Sequence, residues 1–148
     1  MSDFPGKGKV AVVKTSPVTV LEDIENLMKL AEFQSALPKE NVTGLKINIS
    51  WQTWYPACSS TPWQIEGVIK TLKGNGYQNL LGIHNDTVVV NTKDAEVNNK
   101  HLFVTNKYNV PCLYLYEQNF ESVRYEPKKP FLVLDKVYPD GVYIPKDL

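Results

Sequence analysis

The feature that most constrains the fold is an alternation of short apolar runs with longer stretches of helical spacing. Four runs have the length and composition of buried or half-buried strands: Lys9–Lys14, Leu45–Ser50, Leu80–Ile83 and Val110–Tyr116. Helical patterns separate them. Strands that alternate with helices in this way predict an α/β domain with a mainly parallel sheet, because each crossover helix returns the chain to the same end of the sheet.

The intervening helices have recognisable ends. Thr19 and Glu22 have the spacing of a capping box, and Pro38 is expected to end the first helix. Thr61-Pro62 predicts the start of a second helix, which Gly74-Asn75-Gly76 should end, and Thr92–Tyr108 is a weaker third helix. The prediction is therefore a three-layer, Rossmann-like arrangement with helices on both faces of the sheet.

The alternation lapses after the fourth run. Proline residues punctuate an extended, β-like tail over about residues 118–148, and Pro139-Asp140-Gly141 predicts a turn between two β-like runs. We interpret residues 1–148 as a single α/β domain that carries this tail. A tail without a helix to cover it leaves an open strand edge, so we expect a homo-oligomer or an obligate partner chain, with Phe131–Ile144 in the contact.

Charge and cysteine content exclude several function classes. Basic and acidic residues are equal in number, 16 of each, so the chain has no net field to attract nucleic acid or anionic lipid. No apolar stretch approaches bilayer length and the N-terminus lacks a signal sequence, which predicts a cytoplasmic protein. Cys58 and Cys112 are far apart in sequence, so we predict free thiols, no metal site and no cluster, with Cys112 as a small core residue.

Polar residues follow the predicted strands at their carboxyl ends, where ligands bind in open α/β sheets. The residues at this rim are Lys14, Thr15, Asn48, Ser50, the Cys58–Thr61 loop, His84 and Asp86. The loop also opens a helix, whose free amides and dipole attract anions. We therefore predict an anion site formed by Lys14, Asn48, Ser59, Ser60 and Thr61. The alternative is that Thr61 only caps its helix and the serines are solvated.

Two further interpretations stay open. Cys58 near a helix start is a weak candidate for a reactive thiolate, with His84 as its base and Asp86 as the group that orients the base. All three tryptophans, Trp51, Trp54 and Trp63, lie close to Tyr55 in sequence. They predict a hydrophobic lid on the sheet, a stacking wall for a planar ligand or a subunit contact. Neither a GxGxxG nor a Walker motif is present, so no nucleotide fingerprint assigns a cofactor.

These motifs resemble the domain of unknown function 362 family of bacteria and archaea, whose members are often joined to a ferredoxin-like iron–sulfur module. Lys46-Ile47-Asn48 is similar to the family's Lys-Pro-Asn, with isoleucine in place of proline. The resemblance extends over Ser59-Ser60-Thr61-Pro62, over Gly67 to Gly76-Tyr77, and over Asn85-Asp86.

The family continues beyond the segment that resembles Tyr143-Ile144-Pro145-Lys146 into a second half, whereas this chain stops at Leu148. The resemblance thus implies a truncated form, or a site that another chain completes. It implies a small-molecule binding domain of a redox-associated family, without a cluster of its own, for an anionic or phosphorylated ligand. The alternatives are a half-site of an oxidoreductase or transferase completed by a partner, and an assembly subunit that acts through the tryptophan loop and the tail.

Overall fold

A computed structural model describes residues 8–55, 57–85, 89–117, 119–126 and 132–146. The chain divides into two compact units, Met1–Tyr116 and Glu117–Leu148, so the boundary lies close to the predicted start of the tail. Within the described ranges, no helix combines the length and the apolarity that crossing a bilayer requires.

The N-terminal unit begins with an irregular segment, and the predicted strand at Lys9–Lys14 is wrong. The segment pairs with no described strand, and Val10 and Val12 are 86% and 78% exposed. Lys9 in this segment forms an ion pair with Glu32, in which Lys9 Nζ lies 3.2 Å from Glu32 Oε1. A short apolar run becomes a strand only when a neighbouring strand accepts its backbone hydrogen bonds, and no such pairing is present here.

Helix α1 spans Val20–Leu30, and a single further turn, α2, spans Phe33–Ala36. The predicted capping box is wrong, because the backbone of Thr19 is nearly helical, with ψ of 0°, and its hydroxyl donates to Asp23 instead. The Ser16 hydroxyl accepts a hydrogen bond from the Thr19 amide. The first helix also ends before Pro38, at a break where Glu32 takes left-handed backbone angles.

Three strands form a parallel sheet in the order β1 (Thr43–Lys46), β2 (Leu80–His84) and β3 (Cys112–Tyr114). Their register pairs Leu45 with Gly82, Gly82 with Cys112, and His84 with Tyr114. The mixed α/β class and the parallel direction are thereby confirmed. Strand β1 is shorter than predicted and begins two residues earlier.

The helices between the strands are α3 (Pro62–Gly74), α4 (Thr92–Asn98) and α5 (His101–Lys107). The start of α3 is confirmed, since the Thr61 side chain and the Gln64 side chain form a capping box with Pro62 in the first turn. The helix predicted over Thr92–Tyr108 is instead two helices, because Lys100 takes left-handed backbone angles between them.

The core of this unit lies between α3, α5 and the sheet. Its most buried members are Ile69, Leu72, Tyr77 and Val104, with Leu80 from β2. Helix α1 packs on α3 at Gly67, where an added Cβ would lie 2.6 Å from the Ile24 side chain. Because residues two apart on a strand share a face, Leu80, Gly82 and His84 point to the same side of the sheet. Helices on both faces stay a prediction.

The C-terminal unit contains an antiparallel pair, β4 (Ser122–Tyr125) and β5 (Val142–Pro145), with a short helix, α6 (Leu134–Val137), between them in sequence. The predicted turn precedes β5, and Gly141 there has a φ of +91° that favours glycine. The predicted β-like run before the turn ends in α6, so of the two runs only the second forms a strand. Phe131 lies outside the described residues.

Candidate functional site

The hydroxyl-rich loop before α3 is held against the chain that follows β1. The Ser60 hydroxyl accepts the Asn48 amide at 3.3 Å, and the Ser60 amide donates to the Asn48 carbonyl at 3.0 Å. The Ser59 hydroxyl accepts the Ser50 amide at 3.2 Å. The two serines therefore act here as backbone acceptors that fix the loop.

Thr61 acts as a helix cap. Its hydroxyl accepts the Gln64 amide, and its own amide donates to Gln64 Oε1 at 3.0 Å. The Ser60 and Thr61 amides, on which an anion cradle at this helix start would depend, thus both have protein acceptors. Anion binding by the side chains of Ser59, Ser60 and Thr61 stays a prediction.

The other two predicted ligand residues lie at different places. Asn48 Nδ2 donates to Ser50 Oγ at 3.0 Å and to the Cys58 carbonyl at 3.4 Å, so it braces the same loop. Lys14 is exposed on the irregular N-terminal segment. The residues after it line a separate cavity of about 400 Å³ with Trp63. No described hydrogen bond joins Lys14 to the serine loop.

A groove runs along the free edge of β1, and we call it the α3 groove. It has a volume of about 380 Å³ and is lined by Gly44, Leu45, Lys46, Ile47, Ser60, Gln64, Ile65 and Val68. The Thr43 amide donates to the Asn79 carbonyl just before β2, and the Ile47 amide donates to the Ile83 carbonyl in β2. Since amides alternate in direction along a strand, those of Gly44 and Lys46 point to the opposite edge, where no described strand pairs with β1.

The electrostatics of the α3 groove are set by one cation. Among the described residues that line it, Lys46 is the charged one and none has a carboxylate. Within the described part of the chain, the Lys46 ammonium donates to the Ile47 carbonyl at 3.4 Å, which occupies one of its three N–H groups. The groove therefore favours a small anion over a cation.

A buried polar cluster occupies the carboxyl ends of β2 and β3. His84 Nε2 lies 3.0 Å from Glu96 Oε1 on α4, and the Tyr114 hydroxyl donates to Glu96 Oε2 at 2.5 Å. The rings of His84 and Tyr114 stack, with centroids 5.7 Å apart. Cys112 completes the cluster, since its thiol lies within 4.8 Å of the nearest donor atoms of His84 and Glu96.

The cluster holds one carboxylate in its ionised form. Burial raises the pKa of Glu96, but contacts with His84 and the Tyr114 hydroxyl outweigh burial, so the pKa of this carboxyl lies below its ordinary value of 4.5. Burial, reinforced by the negative charge of Glu96, raises the pKa of the Cys112 thiol to about 12. Burial, the hydrogen bond to Glu96 and the negative charge of Glu96 raise the pKa of Tyr114. Near neutral pH the cluster thus contains a carboxylate, a thiol and a phenol.

A second buried histidine, His101, connects α5 to the serine loop. Its Nε2 lies 2.6 Å from the Ser60 carbonyl, an acceptor, so Nε2 carries the proton. Burial lowers the pKa of His101, which keeps the ring neutral. The position of the loop therefore depends on a contact that is far away in sequence.

The described contacts do not bring together Cys58 and His84, two of the three residues predicted for thiol catalysis. His84 has Glu96 and Tyr114 as its neighbours, and no described contact joins it to Cys58. Asp86 lies outside the described residues. The tryptophans are surface residues: Trp51, Trp54 and Trp63 are 47–57% exposed, and Tyr55 is 66% exposed. Such exposure fits a contact surface or a stacking wall better than a lid.

The sequence offered few signals for what the fold brings together. His84 stood out because it follows a strand, whereas no local pattern separates Glu96, His101 and Tyr114 from the other polar residues of their elements. No spacing rule marks them, because their partners come from other elements. Comparison with known proteins adds no assignment: no family model, curated protein or solved structure matches this chain.

Proposed function

We propose that the protein binds a small anionic ligand, of the phosphate or carboxylate class, in the α3 groove. The observation that carries this proposal is the lining of the groove, in which Lys46 is the charged side chain and no carboxylate of a described residue opposes it. Ligand sites commonly combine apolar walls with a few convergent polar groups. Leu45, Ile65 and Val68 supply the walls here, and Ser60 and Gln64 supply polar groups beside Lys46.

The backbone strengthens the proposal. The outward amides of Gly44 and Lys46 are donors at the free edge of β1, so an anion beside Lys46 would gain hydrogen bonds from the chain itself. A charge-assisted hydrogen bond contributes about 1.5–3 kcal/mol before other costs. These amides replace those of Ser60 and Thr61, which have acceptors within the protein.

Two further proposals concern the family of the chain and the arrangement of its sheet. We propose that the chain is related to the domain of unknown function 362 family, on the strength of Lys46-Ile47-Asn48 and of the Ser59–Pro62 turn. We also propose that its sheet is the central layer of a Rossmann-like, three-layer arrangement. A redox-associated role, without a cluster in this chain, follows from that kinship alone.

Isothermal titration calorimetry with inorganic phosphate, pyrophosphate, a nucleoside monophosphate and acetate tests the ligand class. We expect at least one of these anions to bind, and Lys46→Gln to weaken that binding about tenfold or more, because a lost charge-assisted hydrogen bond is worth at least about 1.4 kcal/mol. Lys9→Gln is the matched control, since Lys9 is an exposed lysine of the same unit that pairs with Glu32 away from the groove. Equal effects of the two substitutions would remove the α3 groove from the proposal.

A second candidate function is assembly with another chain. It is favoured by the three half-exposed tryptophans and by the unpaired edge of β1, since exposed aromatic groups and open strand edges recruit partners. Sedimentation velocity distinguishes it: we expect a concentration-dependent dimer that Trp54→Ser weakens. A monomer at all concentrations would exclude self-assembly through this surface. An oxidoreductase or transferase half-site completed by a partner stays a prediction.

A further inference from the structure

Three side chains that commonly bind transition metals meet beside the carboxyl half of β2. They are His84, Glu96 and Cys112, from β2, α4 and β3, and one ligand atom of each lies within 4.8 Å of the others. A tetrahedral ion with bonds of about 2.0–2.3 Å separates its ligand atoms by about 3.3–3.8 Å. The spacing of the three donors is therefore within a small adjustment of a coordination sphere.

Two of these donors are buried without a well-formed hydrogen bond. The side chains of His84 and Glu96 are each 2% exposed, and their Nε2 and Oε1 atoms lie 3.0 Å apart. Nevertheless neither atom makes a hydrogen bond of acceptable geometry to any described residue. The distance is short enough for attraction, but the direction is not that of a hydrogen bond. Because buried polar atoms are nearly always satisfied, these two atoms point to an absent partner.

The surrounding chain makes room for the third donor and orients the others. A Cβ at position 82 would lie 2.8 Å from Cys112 Sγ, so glycine on the central strand leaves the space that the thiol occupies. The Tyr114 hydroxyl holds the second oxygen of Glu96, and its ring stacks on His84. Partners of this kind orient first-sphere ligands in known metal sites.

We propose that His84 Nε2, Glu96 Oε1 and Cys112 Sγ bind one divalent transition-metal ion of the zinc class. The metal displaces the proton of the Cys112 thiol to solvent, so the donor set is an imidazole, a carboxylate and a thiolate, which suits zinc, whereas calcium and magnesium require oxygen ligands. Three protein ligands leave a fourth position open for water or a ligand, as in catalytic rather than structural zinc sites. His84 also lines a surface pocket of about 130 Å³ together with Lys46, Asn85 and Thr92, so solvent lies close to this residue.

The metal site is independent of the anion proposal. Lys46 and Ser60 supply the polar part of the α3 groove, and neither belongs to the metal cluster. Lys46 also lines the pocket beside His84, but its ammonium is not a ligand, so Lys46→Gln should keep the thiolate–Co²⁺ band. A failure of one proposal does not imply a failure of the other.

Cobalt(II) is the probe, because it replaces zinc in such sites and reports thiolate coordination by a charge-transfer band in the near ultraviolet. We expect one equivalent of Co²⁺ to give this band in the purified, reduced protein, and Zn²⁺ to abolish it by displacement. Cys112→Ala should remove the band and weaken binding by about 100-fold or more, since the loss of even an outer-sphere partner costs about 10–100-fold. Cys58→Ala is the matched control and should keep both the band and the affinity.

A second variant covers the case in which Cys112→Ala fails to fold. Glu96→Gln retains the thiol and the shape of the side chain, so it should keep the band at saturation but weaken Co²⁺ binding by at least about tenfold. Circular dichroism of each variant verifies folding. The proposal is overturned if the wild-type protein gives no charge-transfer band, if the band disappears in Cys58→Ala, or if folded Glu96→Gln binds Co²⁺ as tightly as the wild type.

Discussion

The two ends of one sheet face differ sharply in their chemistry. At the amino end of β2, Leu80 belongs to an apolar core cluster with Ile69 and Leu72 of α3. At the carboxyl end, only four residues further on, His84 is equally buried but faces a carboxylate on α4. Both ends exclude water to a similar degree, yet one buries hydrocarbon and the other buries ionisable groups.

The difference separates the part of the face that stabilises the fold from the part that carries ionisable groups. Burial of hydrocarbon is favourable whatever the direction of the neighbouring groups. Burial of a carboxylate or an imidazole costs free energy unless each polar atom finds a partner of correct geometry. The polar end of the face is therefore maintained at a cost, and in this chain it lies where parallel sheets carry their functional groups.

The largest expected effect is at the apolar end. Ile69 is fully buried, so Ile69→Ala should lower the free energy of unfolding by about 2–5 kcal/mol, because it removes transfer free energy and leaves a cavity. Urea denaturation monitored by circular dichroism measures the change. Val97→Ala on α4 is the control, since Val97 is mostly exposed and its truncation should change stability by less than about 0.5 kcal/mol. Similar losses in the two variants would mean that this end is not the main source of stability.

A smaller effect, dependent on pH, is expected at the polar end. Tyr114→Phe removes the hydroxyl that donates to Glu96 and should cost about 1–3 kcal/mol at neutral pH. The folded-state pKa of Glu96 is depressed, so its ionised form contributes stability above the ordinary value of 4.5 and loses it as pH falls through the lower folded-state pKa. The gap between wild type and Tyr114→Phe should therefore shrink below about pH 4.5.

Urea midpoints between neutral and acidic pH measure this gap. His101 also has a depressed pKa, so its contribution is lost as pH falls from its ordinary value of 6.5, but that loss is common to both proteins and cancels in the difference. Tyr116→Phe is the control, because the Tyr116 hydroxyl has no hydrogen-bond acceptor among the described residues. A gap that stays constant with pH would show that Glu96 is not the group stabilised by Tyr114.

The smallest expected effect compares two helix starts. Thr61→Ala removes a cap that has both halves of its capping box and should cost about 0.5–2 kcal/mol. Thr19→Ala should cost less, because the Thr19 hydroxyl makes no bond to a helix amide and contacts an exposed Asp23 carboxylate instead. Thermal unfolding of the two variants tests the order. An equal or larger loss for Thr19→Ala would contradict the assignment of Thr61 as the functional cap.

The same pair shows how far sequence patterns predict local structure. Thr19 with Glu22 and Thr61 with Gln64 have the same spacing, and both precede helices at the expected places. Thr61 is followed by Pro62, which fixes the first helical residue and favours an extended residue before it. Thr61 accordingly has a ψ of 149°, whereas Thr19 has a ψ of 0° and cannot form the box.

The sequence by itself determined the elements whose signals are local. The start of α3, the position of β2 and the α/β class follow from caps, apolar runs and spacing, which act within a few residues. Only the tertiary structure decided that Lys9–Lys14 pairs with no described strand, that Lys100 breaks a helix, and that Glu96 and Cys112 meet His84. Strand pairing and side-chain clusters depend on contacts between segments distant in sequence. The energies of those contacts belong to pairs of elements, so no single stretch of sequence displays them.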